Sequence, residues 1–216
     1  MPGAATHKEP EPRLRADARE NRDRILDAAR SLFAERGLEV SMRDVARYAE
    51  VGPATLYRRF PTKQALIDDV FADEVRACRQ IVVDGCADPD PWHGFASVIE
   101  QLTVLNVQNQ GFVDAFMSAN PRSLALAHHR EALARRLRTL VTRAKRTGQL
   151  RPDFVLDDLN LVLLACRGLS ATAPANRTLA ARRFAALALD GFRASETNGA
   201  LPRTPRLVEE AIRGAR

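Results

Sequence analysis

Between Ser41 and Lys63 the chain reads SMRDVARYAEVGPATLYRRFPTK, and this stretch limits the fold more than any other. It holds two helical patterns, each about two turns long, with a turn between them. Ser41 is a good N-cap, and Val45, Ala46 and Ala49 then recur at helical spacing. The first helix is expected to end near Glu50. Gly52 and Pro53 restart the chain, with Pro53 suited to the first helical position. Leu56 and Phe60 are i,i+4, so they share the buried face of the second helix, Pro53 to Phe60. Ala54, Thr55, Arg58 and Arg59 point the other way, with Tyr57 at the margin. Helices this short cannot bury enough surface alone, so they need a brace.

One face packs on its neighbours while the other carries small residues, hydroxyls and guanidinium forks, which is what a major-groove reader needs. Arg suits bidentate contact with guanine O6 and N7, and Thr can donate to a base or a phosphate. Tyr57 offers a phenol to a phosphate oxygen. Lys63 follows Thr62 at the start of the next helix, where free N–H groups and the helix dipole favour an anion. The competing account is a solvated face on an ordinary helical hairpin. Thr, Tyr, Arg and Lys gathered on one rim at this short spacing argue for the reader.

The run Thr55-Leu56-Tyr57-Arg58-Arg59-Phe60 followed by Thr62-Lys63 has the form T-L-Y-x-x-F with Thr-Lys. It resembles the DNA-binding domain of the TetR family of transcriptional regulators, over about Asn21 to Phe71. That family's turn usually reads Ala-Gly-Val-Ser; here it is Ala49, Glu50, Val51, Gly52. Glu50 stands where a glycine would take positive φ cheaply, so the turn is expected to carry either mild strain or a different geometry. Gly52 replaces a serine cap that also touches phosphate, so that contact is expected to be missing. The resemblance places Arg43, Thr55, Tyr57 and Lys63 at DNA contacts. The candidate DNA-binding set is Arg43, Gly52, Pro53, Ala54, Thr55, Tyr57, Arg58, Thr62 and Lys63.

The rest of the chain sets outer bounds. Its 216 residues carry a net charge of +6, and a pI near 9.9 suits nucleic acid. Hydrophobic residues make up 45%, aromatics 6%, and no β-branched or aromatic runs of period two occur, so the chain reads as all-α. Cys78, Cys86 and Cys166 form no C-x-x-C and read as reduced, buried thiols, the alternative being a redox switch. No run of about 18 apolar residues occurs and no apolar signal core, so the protein is expected to be soluble and cytoplasmic, with no membrane partner. No G-x-S-x-G, G-x-G-x-x-G, Walker loop or H-E-x-x-H occurs, which leaves no residue to nominate as a catalyst and no cofactor to expect. His128 and His129 are adjacent and make a poor metal pair.

Taken in order, residues 1–19 read as a flexible basic arm, either a solvated tail or an arm that adds phosphate or minor-groove contacts. A three-helix DNA-binding domain is expected over 20–66. Its first helix, Asn21 to Arg36, is braced by Ile25, Leu26, Ala29, Leu32 and Phe33 and closed by Gly37. Thr62 is expected to cap one long fourth helix running to about Gly85, a rigid connector. A larger helical ligand-binding and dimerisation domain fills 67–194, and 195–216 reads as a flexible tail. Helices are expected at Pro91–Gln110, Arg122–Thr147, from Leu156 through Leu169, and at Thr178–Ala194. The basic face of the Arg122–Thr147 helix is either solvated or attractive to an anionic ligand.

Phe95, Ile99, Leu102, Phe112, Phe116 and Met117, beside an amide-rich helix end, are either plain core or the apolar walls of a small-molecule pocket. The two last helices read either as the middle of a monomer or as half of a dimeric four-helix bundle. The resemblance implies the dimer, with Leu163, Phe184, Leu187 and Phe192 as candidate interface residues. Residues Gly148 to Asp158 also resemble the C-terminal domain of an SbtR-like subgroup. Together these imply a homodimeric, ligand-responsive repressor of a palindromic duplex-DNA operator. The alternatives are an architectural DNA binder without sequence preference, and a helical carrier or enzyme with an incidental basic hairpin.

Overall fold

The computed structural model describes residues 11–109, 112 and 124–204. Those residues form α-helices, one 3-10 helix and a single isolated bridge, Leu150 to Arg193, and no strand. The chain divides into two compact units, residues 1–70 and 71–216. No helix among the described residues is long and apolar enough to cross a membrane.

The first unit holds α1 (Glu11–Arg36), α2 (Met42–Tyr48), α3 (Pro53–Arg59) and α4 (Lys63–Val70). Ile25, Ala28, Ala29, Leu32 and Phe33 of α1 are buried, and α2 and α4 pack on that helix. Gly37, at φ 71, closes α1 with its N–H on the Phe33 carbonyl. Helix α1 begins ten residues earlier than the Asn21 start expected from the apolar stripe. That stripe marks only where a helix is buried. After Pro12 in its first turn, the run Arg13 to Glu20 holds Leu, Ala, Arg and Glu, which favour helix without a packed face.

Thr62 does cap the next helix, its Oγ1 accepting from Ala65 N at 3.0 Å. The helix then stops at Val70, and α5 (Ala72–Ala87) begins after Phe71, so the single connector to Gly85 is two helices. The cause is local. Arg30 Nη2 donates to the Val70 carbonyl at 2.6 Å, occupying the acceptor that a continuing helix would offer to Glu74 N–H.

The second unit adds α6 (Pro91–Gln108), α7 (Leu124–Arg146), α8 (Leu156–Ala165), a 3-10 helix (Cys166–Ala171) and α9 (Pro174–Phe192). Helix α6 is its axis, with α5, α7, α8, the 3-10 helix and α9 all packed against it. Asp90 starts α6 by accepting from Trp92 N at 2.9 Å and His93 N at 3.2 Å. The α5–α6 crossing is backbone on backbone: a Cβ on Gly85 would lie 2.8 Å from the Gly94 carbonyl oxygen, and one on Gly94 2.2 Å from that of Gly85. The apolar run from Leu156 is not one helix but α8 followed by the 3-10 helix, and α9 starts at Pro174 rather than Thr178, proline serving as its first residue.

Residues 195–201, within the stretch expected to be a tail, are tied down. Buried Arg151 grips Asp153 (Nε to Oδ1 2.6 Å), and its Nη2 donates to the Gly199 carbonyl at 2.7 Å. Leu201 N–H donates to Asp153 Oδ2 at 3.0 Å.

Candidate nucleic-acid interface

The geometry of the reader starts at Ser41. Its Oγ accepts from Asp44 N at 3.1 Å and donates to the Asp44 carboxylate at 2.6 Å, which holds that carboxyl below the usual range. Met42, Val45, Ala46 and Ala49 then bury one side of α2. Ala49 N–H closes the helix on Val45 O and Val51 N–H reaches back to Ala46 O, which turns the chain. Glu50, between them, sits at φ 54 in the left-handed region, so of the two outcomes the turn keeps the strained one. Gly52 is the N-cap of α3 and supplies no side-chain cap. A Cβ there would meet only Thr55 Oγ1 at 4.0 Å, so space does not forbid a serine.

Helix α3 is seven residues long and held by two fully buried anchors, Leu56 and Phe60. Those anchors fix what faces out. Gly52, Pro53, Ala54, Tyr57 and Arg58 are exposed, with Tyr57 at 46%. Thr55, expected on the outward face, is half-buried at its edge. Arg43, one residue into α2, is exposed, as is Thr62; Lys63 is half-buried at the start of α4. Tyr48, exposed at 54%, escaped the sequence reading. It shares a shallow hollow with Arg24, Asp27, Ser31 and Glu50. Its place on the wheel, at the edge of the Val45–Ala49 stripe, was the available signal.

The residues named for a ligand pocket are differently placed. Phe95, Ile99 and Leu102 are buried on α6, and Phe112 is buried with its ring 5.9 Å from that of Phe71. Phe95 belongs to an aromatic cluster, edge-on to Phe154 at 5.3 Å and beside Trp92 at 5.8 Å. Phe192, named for the dimer, joins the same cluster, its ring 4.9 Å from Phe154. Phe116 and Met117 lie outside the described residues. Of the other residues named for a dimer, Leu187 is 61% exposed, Phe184 is half-buried against Val107, Val162 and Cys166, and Leu163 is half-buried, its carbonyl accepting from Asn106 Nδ2. Leu179, not named, is more exposed still at 70%.

Against known proteins, the family model for bacterial regulatory proteins of the tetR family matches residues 25–70, and that for the C-terminal domain of SbtR-like transcriptional regulators matches residues 90–194. The HTH-type transcriptional repressor KstR of Rhodococcus jostii (strain RHA1) is 33% identical over 171 residues, which cover 74% of this chain and 79% of KstR. The HTH-type transcriptional regulator UidR of Escherichia coli (strain K12) is 38% identical over 66 residues, 30% of this chain, and the match spans only 34% of UidR. The crystal structure of the TetR transcriptional regulator SCO0520 from Streptomyces coelicolor superposes with a TM-score of 0.50 at 29% identity, covering 81% of this chain and 99% of that one. A helix-turn-helix with its anchors buried and Tyr57 and Arg58 outward, a separate helical unit after it, and a repressor relative matched along most of both chains agree on one placement: the chain belongs to the TetR family of transcriptional regulators.

Proposed function

We propose that the protein is a homodimeric transcriptional repressor that binds a palindromic operator and is released by a small molecule held in residues 71–216. The observation that carries the DNA-binding part is the α3 geometry: Leu56 and Phe60 clamp the helix while Tyr57 and Arg58 project from it. In this reading Tyr57, Thr62 and Lys63 take phosphates and set the register. Arg58 and Arg43 read base edges, with Thr55 contributing from the rim of α3. The glycine cap leaves the first N–H groups of α3 without a side-chain partner, so Pro53 and Ala54 let that end approach the backbone closely.

Release requires only differential affinity. A ligand that prefers the non-binding state by about 1–3 kcal/mol lowers operator affinity roughly 5–150-fold. Repression rather than activation is supported by the repressor KstR, matched over 79% of its length. The test is a gel shift of the full chain against the DNA flanking its own coding region, with scrambled duplex as competitor. Specific retention is expected; equal competition by scrambled DNA would make this an architectural binder instead. Hydrophobic and cationic small molecules are then screened for release of that complex.

A further inference from the structure

We propose that the outward face of α7 is a second duplex-DNA site, bound through phosphates alone, so that the protein can hold a second duplex while its reader is occupied. The bridging rests on the DNA-binding reading above; the site on α7 does not.

The argument begins with sign. From residue 132 to 152 the chain carries seven cations and no Asp or Glu. Three of the seven have work inside the unit. Arg143 donates to the carbonyls of Cys86 at 2.6 Å and Asp88 at 2.8 Å, Lys145 donates to that of Pro152 at 2.7 Å, and Arg151 grips Asp153. The other four, Arg135, Arg136, Arg138 and Arg146, are exposed. Among the described residues, the side chains of Arg138 and Arg146 make no hydrogen bond or ion pair. Arg135 meets Glu131 at 2.9 Å with the two side chains 61% and 67% exposed, a contact that water screens and a phosphate can replace.

The helix gathers three of these cations. At about 100° per residue, Arg135, Arg138 and Arg146 fall with Thr139 and Thr142 on the side of α7 opposite buried Leu133, Leu137, Leu140 and Ala144. Thr139 Oγ1 donates to the Arg135 carbonyl at 3.3 Å and Thr142 Oγ1 to that of Arg138 at 2.8 Å. The threonines thus spend their protons on the helix and leave anion binding to the guanidinium groups. The three arginines span about 16 Å of the axis, the rise of roughly five phosphates along one DNA strand.

An acidic protein and a nucleic acid are both anionic enough for this face, and its composition separates them. Stable protein contacts centre on apolar or aromatic anchors. Every exposed residue of α7 from 128 to 146 is charged, a histidine or a threonine. A phosphate backbone needs no such anchor, because guanidinium groups hold it through charge and counterion release, whatever its sequence. A single strand would want aromatic side chains to stack on, and this face has none, which leaves the duplex.

The test captures a biotinylated duplex of the DNA flanking the coding region, loads the full chain, washes, and adds a fluorescent random-sequence duplex. That second duplex, about 20 base pairs long, should be retained in about 50 mM salt and lost by about 200 mM. Arg135→Gln, Arg138→Gln and Arg146→Gln together should cut its retention roughly 10–100-fold, while the captured duplex is bound as by wild type. A control triple, R76Q/R182Q/R203Q, removes as much charge elsewhere in the second unit and should stay within about threefold of wild type. Equal loss in both triples would make the effect one of net charge and overturn the site. Undiminished retention by the α7 triple would overturn it too, as would an Asp- and Glu-rich peptide that binds this face more tightly than duplex does. Failure to bind the captured duplex would instead remove the reader. The α7 site is then measured directly, by anisotropy of the random duplex on Lys63→Ala protein: the α7 triple should reduce the salt slope by about 2–3, and an unchanged slope overturns the proposal.

Discussion

Glu50 holds φ 54 because the α2–α3 turn needs a left-handed residue there, whatever the sequence supplies. A side chain in that region costs about 1 kcal/mol. Glu50→Gly is therefore expected to raise stability by about 0.5–1 kcal/mol in urea unfolding, without altering α3. Arg58 and Lys63 are assigned opposite kinds of work and should fail differently. Arg58→Ala should cost about 1–3 kcal/mol of operator binding and relax the preference at one base pair; uniform weakening on all duplexes would refute base reading. Lys63→Ala should weaken every duplex alike and reduce the salt slope by about one, so an unchanged slope would count against phosphate contact. His93 supplies a pH prediction. Its Nδ1 lies 2.6 Å from Asp88 Oδ2, and that hydrogen bond, with the Asp88 charge, raises the imidazole above its ordinary 6.5 while the same bond lowers the Asp88 carboxyl. The His93 contribution is complete below pH 6.5 and disappears as pH rises through the raised value. The Asp88 contribution is present above its ordinary value and disappears as pH falls through the lowered one. The pair should thus be strongest between about pH 4 and 6.5, and Asp88→Asn should bring the His93 titration, followed by NMR, back down.

Among the elements, the α5–α6 crossing has the least tolerance. A Cβ on Gly85 would sit 2.3 Å from Val98 Cγ2 as well as against the Gly94 carbonyl, so no rotamer change relieves it. Gly85→Ala is expected to destabilise by about 1–3 kcal/mol in thermal or urea unfolding, and hydrogen exchange should show the amides around the crossing opening before the rest of the unit. Neither glycine stood out in the sequence, because a close helix crossing leaves no local mark beyond the glycines themselves. The same holds for the end of α4. Its apolar positions continue past Val70 without interruption, and the helix ends where Arg30, forty residues earlier in the chain, donates to the Val70 carbonyl. By contrast α2, α3 and their turn were legible nearly residue by residue. Ser41, Pro53, Leu56 and Phe60 act through their immediate neighbours, so pattern and chemistry coincide there. Thr55 was read too far outward, since a wheel seven residues long resolves an edge position poorly.

At the scale of the whole molecule, the proposed dimer requires two copies of α3 held at a fixed separation. The operator should be a palindrome whose half-site centres lie about 34–36 Å or a multiple of that apart, and inserting five base pairs between them should abolish binding. A footprint confined to one half-site, or indifference to the insertion, would refute the dimeric reader. The tail illustrates what a sequence hides at this scale: Ser195 to Leu201 are polar and look loose, yet Arg151 and Asp153 hold them from a loop more than forty residues away. Trp92 is the chain's one indole. It is buried at the start of α6, beside the Phe95 ring, with the Arg193 guanidinium 4.6 Å above it at the end of α9. Indole emission from the unlabelled protein therefore comes from one place, where the start of the central helix meets the end of the last one. Any inducer that loosens that meeting point announces itself as a change in colour or brightness, with no dye attached.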